Sequence, residues 1–179
     1  MKENGTERRH TAIHEAGHTV ARVRFDLLIG TTSIEAKPLE NNLGRADGEE
    51  SWGTTDAAEI EIMVSCAGYA ASVASGLDEN TAAMGCAQDF EEATEIIEFW
   101  KLGTLDDWCK RTVEFMSKTE NIKAVAVLAD KLMEFGTIPP DHAGVLIELA
   151  DGECTIEEWE QFLSLWPFSA TRAESITAA

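Results

Sequence analysis

The stretch Glu7-Arg8-Arg9-His10-Thr11-Ala12-Ile13-His14-Glu15-Ala16-Gly17-His18-Thr19-Val20 decides how this chain is read. Ala12, Ile13, Ala16, Val20, Val23 and Leu27 recur mostly at spacings of three and four. That is the pattern of an amphipathic helix, and it predicts one helix from Thr6 to about Leu28, stopped by Gly30. Inside it, His14-Glu15-Ala16-Gly17-His18 is an H-E-x-x-H motif. Two histidines four residues apart share one helical face, so both imidazoles reach a single Zn²⁺ at about 2.0–2.1 Å, and Glu15 projects beside the metal to act on its water. At average residue usage a chance match in this length is of order one in two hundred, so the motif is read as chemistry.

His10 extends the same stripe, but eight residues of helix span about 12 Å, too far for His10 and His18 to share one ion. The third ligand must therefore come from another segment. The H-x-x-G-x-x-H extension of the metzincins is missing, because His18 is followed by Thr19-Val20-Ala21-Arg22-Val23-Arg24-Phe25. Glu59, Glu61 and the more distant His142 are candidates, and so is Asp89, which opens a helix after a Gly-containing loop.

Outward from the motif the chain reads as mostly helical. Thr31 to Lys37 is β-branched and meets Pro38, which predicts a short strand, with Leu43 to Trp52 as a second strand or loop across Asn41-Asn42. Asp56, with Glu59 three places on, predicts the cap of a helix running to Gly76, and Gly76 to Gly85 reads as a loop. Helices follow over Ala87–Lys101, Leu105–Lys118 behind Thr104, and Asn121–Phe135 before Gly136. Pro139-Pro140 opens another to Ala150, and Thr155 with Glu158 forms a capping box for a segment ending at Pro167. The expectation is one domain over residues 1–168 and a flexible tail over 169–179.

Composition sets the outer limits. The chain has 179 residues, 14 Lys+Arg against 33 Asp+Glu, and a net charge of -19. A field of that sign disfavours nucleic acid and anionic lipid and suits cationic ligands and partners. No apolar run approaches the roughly 18–20 residues of a membrane span, and Met1 to His10 lacks the apolar core of a secretory signal, so a soluble, cytoplasmic protein is expected. Cys66, Cys86, Cys109 and Cys154 form no C-x-x-C pair and read as buried, reduced thiols rather than a zinc ribbon or disulfide scaffold. The five tryptophans read as ordinary core and partly buried aromatics. G-x-x-x-x-G-K-[ST] is absent, so no ATP binding is expected.

Taken in order, these residues resemble a known family. ERRHTAIHEAGHTVA is similar to the start of the peptidase domain of FtsH-type AAA zinc proteases, and SIEAKP and LGRA resemble the strand and turn that follow it there. CAGYAASVASG resembles the family's LGGRAAEE helix, and GCAQDFEEATEI resembles its GA-x-ND-x-x-x-AT segment, whose aspartate is the third zinc ligand. The resemblance covers about residues 6–150 and implies a mainly α, zincin-like fold with a small β element. It also implies a Zn²⁺ held by His14, His18 and Asp89. Glu15 would then take a proton from the attacking water and return it to the leaving amine.

The implied activity is zinc-dependent, ATP-independent endopeptidase action on flexible peptides or unfolded protein, with the strand after the first helix pairing with the extended substrate. Family members work as hexamers, which adds a homo-oligomer to the expectations. Two features depart from the family. Five residues precede the resemblance, leaving no place there for the family's membrane anchor and ATPase module. AAEE is replaced by Ala70-Ala71-Ser72-Val73, and the Asn beside the aspartate by Gln88. The alternative expectation is a non-enzymatic, peptidase-derived binding or regulatory module that retains a zinc site; retention of Glu15 speaks against it, since a structural site needs no general base.

Overall fold

The computed structural model describes residues 5–35 and 53–168. The fold is mainly helical. The first helix, α1 (Gly5–Arg24), buries Ala12, Ile13, Ala16, Val20 and Ala21, the face its periodicity marks. It ends four residues before Leu28, so Gly30 is not its stop. Asp26 takes the left-handed conformation (φ 55°), with Leu27 N–H donating to Arg22 O at 2.9 Å and Asp26 N–H to Val23 O at 3.1 Å. This pair of bonds is a Schellman closure, with aspartate where glycine is usual.

Among the described residues strand β1 is Thr32–Ser33, and the last two residues of the expected Thr31–Lys37 lie outside them. The expected partner over 43–52 lies outside the described residues. β1 pairs antiparallel with β2 (Thr137–Ile138), Thr32 opposite Ile138, an element too short to leave an alternation in the sequence.

The helix expected from Asp56 to Gly76 is two helices, α2 (Thr55–Ser65) and α3 (Ala67–Ala74), bent by 50° at Cys66. Its cap is Thr54, whose hydroxyl accepts from Ala57 N–H at 3.2 Å, rather than Asp56. The bend has a packing cause, because α2 lies on α5 (Ala87–Trp100) while α3 lies on α1 and α6 (Leu105–Met116). The loop expected over Gly76–Gly85 contains one helical turn, α4 (Glu79–Ala82), capped by Asp78.

The later helices follow the sequence more closely. They are α5 (Ala87–Trp100), α6 (Leu105–Met116) capped by Thr104, α7 (Thr119–Phe135), α8 (Pro140–Asp151) and α9 (Ile156–Leu165). α7 begins two residues before the expected Asn121. The Thr155–Glu158 capping box is formed in both directions. The tail expected from 169 lies outside the described residues.

Among the described residues two larger apolar clusters organise the fold, with a small third of Ala21, Val64 and Ala67 between α1 and the α2–α3 corner. The larger joins α1, α3, α7, α8 and α9 through Val20, Ala70, Leu128, Leu132, Leu146 and Trp159. The smaller joins α2, α5 and α6 through Ile62, Cys66, Ala93, Ile96, Ile97 and Trp108, and Phe115 touches both. Cys66 and Cys86 are buried as expected, whereas Cys109, within α6, and Cys154, in the turn between α8 and α9, are half-exposed. Trp108 and Trp159 are buried and Trp166 is exposed; Trp52 lies outside the described residues. Among the described residues no single helix is long and apolar enough to cross a membrane.

Candidate metal centre

α1 carries His14 and His18 one turn apart, and α3 crosses directly over that turn. The crossing is close because Gly17 has no side chain: a Cβ there would lie 2.6 Å from Ala67 O and from Ala71 Cβ. Gly68 of α3 then lies flat against the imidazoles, since a Cβ on it would come within 2.5 Å of His14 Nδ1 and 2.6 Å of His18 Nε2. The two rings meet edge to face, with centroids 4.7 Å apart. Opposite them, the first turn of α5 presents Asp89.

Three side-chain atoms converge. His14 Nε2 lies 3.1 Å from His18 Nε2 and 3.2 Å from Asp89 Oδ2, and His18 Nε2 lies 3.6 Å from the same oxygen. Their protonation follows from what the other ring atoms face. His18 Nδ1 is 2.9 Å from the Val64 carbonyl and must donate to it. His14 Nδ1 faces Cys86 Sγ at 3.8 Å, and that thiol already gives its proton to Ala82 O at 3.2 Å, so the sulfur is left to accept. With both Nδ1 atoms protonated, each neutral ring turns a bare Nε2 lone pair toward a carboxylate oxygen.

When both rings are neutral, these three acceptors have no hydrogen between them and repel unless a proton or a metal ion lies among them. Tetrahedral bonds of about 2.0–2.1 Å place ligand atoms about 3.3–3.4 Å apart, and the observed separations straddle that value. The donor set of two imidazoles and one carboxylate suits Zn²⁺, so the residues fit the metal that the motif implies.

Without a metal, protons can take the same place: burial opposes ionisation of Asp89, but hydrogen bonds from protonated His14 and His18 outweigh it and hold the carboxyl well below the usual carboxylate range. Burial likewise disfavours a charged His18, yet Asp89 and Glu15 overcome it and raise the ring's affinity for a proton, which a metal at Nε2 must displace. Burial pushes Glu15 above the ordinary glutamate value, against the pull of His18 and His14. Burial also pushes the Cys86 thiol up to about 12, so it stays neutral beside His14.

The cluster opens into a cleft of about 510 Å³ lined by His10, His14, Glu15, His18, Glu61 and Asp89 among others. His10 thus borders the cleft without joining the cluster, as its distance along the helix requires. Glu59 faces Arg111 instead, at 3.5 Å. Glu61 lines the cleft wall, and His142 is buried elsewhere with Nε2 2.8 Å from Trp166 O. Sequence reasoning missed Cys86, which is 72 positions from His14 and carries no local signal. Val64 and Gly68 were equally hidden, because only the α2–α3 bend aims them at the rings. No protein-family model matches the chain, and no curated protein matches it.

Proposed function

We propose that the chain is a zinc-dependent endopeptidase, a zincin-like relative of the FtsH-type peptidase domain, acting on flexible peptides or unfolded protein. The observation that carries this reading is the convergence of two bare Nε2 lone pairs and the Asp89 carboxylate beside Glu15 in an open cleft. Bound zinc supplies a Lewis acid that polarises a peptide carbonyl and makes water a better nucleophile near neutral pH. His14, His18 and Asp89 hold it. Val64 O and Cys86 Sγ fix which ring nitrogen is free, and Gly68 fixes where both rings lie.

Glu15 is the proton carrier. Its carboxylate takes a proton from the attacking water and gives it to the leaving nitrogen, and a carboxyl raised by burial is suited to do both near neutral pH. The chain carries no G-x-x-x-x-G-K-[ST] loop, so its own cleavage step proceeds without ATP, and a folded substrate must open by its own fluctuations.

The test pairs zinc analysis with cleavage of a casein-like chain and of a compact domain. About one zinc per chain, cleavage of the flexible chain alone, and a rate lowered by roughly 10²–10⁴ in Glu15→Gln with zinc retained are expected. Equal activity in wild type and Glu15→Gln would refute the mechanism. Zinc bound without cleavage across a broad peptide library would assign the chain to the non-enzymatic reading.

A further inference from the structure

Away from the proposed ligands, two thiols from separate elements meet, one buried and one half-exposed. Cys66 stands at the α2–α3 corner and is fully buried, while Cys109 on α6 is half-exposed. The Cys109 thiol points at Cys66 Sγ, 3.9 Å away. Among the described residues no other two cysteines come within such reach; Cys86 faces His14 and Ala82, and Cys154 faces the carbonyl of Thr155. The corner is tied to the metal cluster on both sides of Cys66. Two residues before it, Val64 O holds His18 Nδ1, and two residues after it, Gly68 lies against both imidazoles.

We propose that Cys66 and Cys109 form a dithiol–disulfide site, oxidised by a small-molecule disulfide, and that closing the bond weakens metal binding at His14, His18 and Asp89. The half-exposed Cys109 meets the oxidant first. Its thiolate attacks one sulfur of the oxidant, whose S–S bond breaks and whose other half leaves as a thiolate. Cys66 then attacks Cys109 Sγ, and the second half of the oxidant leaves, taking up the Cys66 proton as it departs. Two protein thiols give up two electrons and two protons, and the oxidant becomes two thiols.

A disulfide bond is about 2.05 Å long, so the sulfurs must close by about 1.9 Å from their present separation. α6 is packed along α3, and Cys66 lies at the bend between two helices with no further turn to absorb the shift. The displacement therefore falls on the segment from Val64 to Gly68, the support of both rings. Disturbing groups that orient metal ligands typically weakens binding 10–100-fold.

The cross-link stands on this geometry alone, while its effect on the metal rests on the zinc-site reading above. Full-length, metal-free protein is treated with oxidised glutathione and mapped by peptide mass. Zinc affinity of the reduced and oxidised forms is then measured by competition with a chelating dye. A linked peptide containing Cys66 and Cys109 is expected, with zinc affinity at least tenfold weaker and restored by reductant. Cys109→Ala, and Cys66→Ala as a second variant, should form no such link and keep the reduced affinity in oxidant. A glutathione adduct persisting on Cys109 without the link, or a linked form binding zinc as tightly as the reduced one, would overturn the proposal. Reduced protein that binds no zinc would instead refute the peptidase reading, and the coupling with it; the linked peptide still decides the dithiol site.

Discussion

Each imidazole of the α1 pair is positioned by atoms that belong to other elements, and this makes the site sensitive to changes that remove no ligand. Gly68 is the sharpest case. In an isolated helix Ala would be favoured over Gly by about 1 kcal/mol, yet here the added methyl would fall within 2.5 Å of the His14 ring. Gly68→Ala should therefore leave helical content by circular dichroism unchanged and weaken zinc binding at least tenfold; unchanged affinity would show that the rings do not need that surface. Asp89→Ala should release zinc at neutral pH, whereas Glu59→Ala, which loses only its 3.5 Å contact with Arg111, should keep it. The reverse result would move the third ligand off α5.

At the scale of elements, sequence was informative where a helix end is written in side-chain chemistry and silent where it is written in packing. The Thr104 cap, the Pro140 start and the Thr155–Glu158 box stand where the residues place them. The break at Cys66 does not announce itself: Ser65-Cys66-Ala67 contains no glycine or proline, and apolar periodicity continues through it because both helices are buried. The end of α1 was misplaced for a related reason, since Asp26 accepts a conformation usually assigned to glycine. That His14 and His18 meet on one face of α1 was legible from spacing alone. Asp89 was one of several candidates until the family resemblance singled it out.

The ends of α1 and α8 are joined by an ion pair whose pH response can be signed. Arg24 meets Asp151 through two bonds, at 2.6 and 2.7 Å, and Arg24 Nε also donates to Asn121 Oδ1 at 2.9 Å. The guanidinium holds the Asp151 carboxyl below its ordinary value. A carboxyl with a depressed native pKa stabilises the fold above its unfolded value of about 3.9, and that contribution is lost as pH falls through the native value. Asp151→Asn should thus cost about 1–3 kcal/mol in urea unfolding at neutral pH, and the gap from wild type should shrink progressively below about pH 3.9. A gap that stays constant into acid would mean the charge of Asp151 contributes nothing.

Across the whole molecule, the proposed metal ligands come from elements that pack in different clusters. His14 and His18 stand on α1, whose Ala12, Ile13, Ala16 and Val20 join the larger cluster, whereas Asp89 stands on α5, which docks mainly on α2 in the smaller one. A metal held by all three would add a link between α1 and α5 to the apolar contacts that already join the clusters. Any ligand that binds only the native state stabilises it by mass action, about 2.7 kcal/mol at a free concentration one hundred times the dissociation constant. Because the metal ties α5 to α1, that stabilisation should be local as well as global. Zinc should raise Tm and slow amide hydrogen exchange most over residues 79–95, which carry α4 and the first half of α5, with less change in α7 and α8. Chelation should reverse both effects, and Asp89→Ala should abolish them while its metal-free exchange pattern matches that of wild type. Protection spread evenly over the chain, or confined to α1, would mean the ion is held by the histidines alone and does not bridge the two clusters.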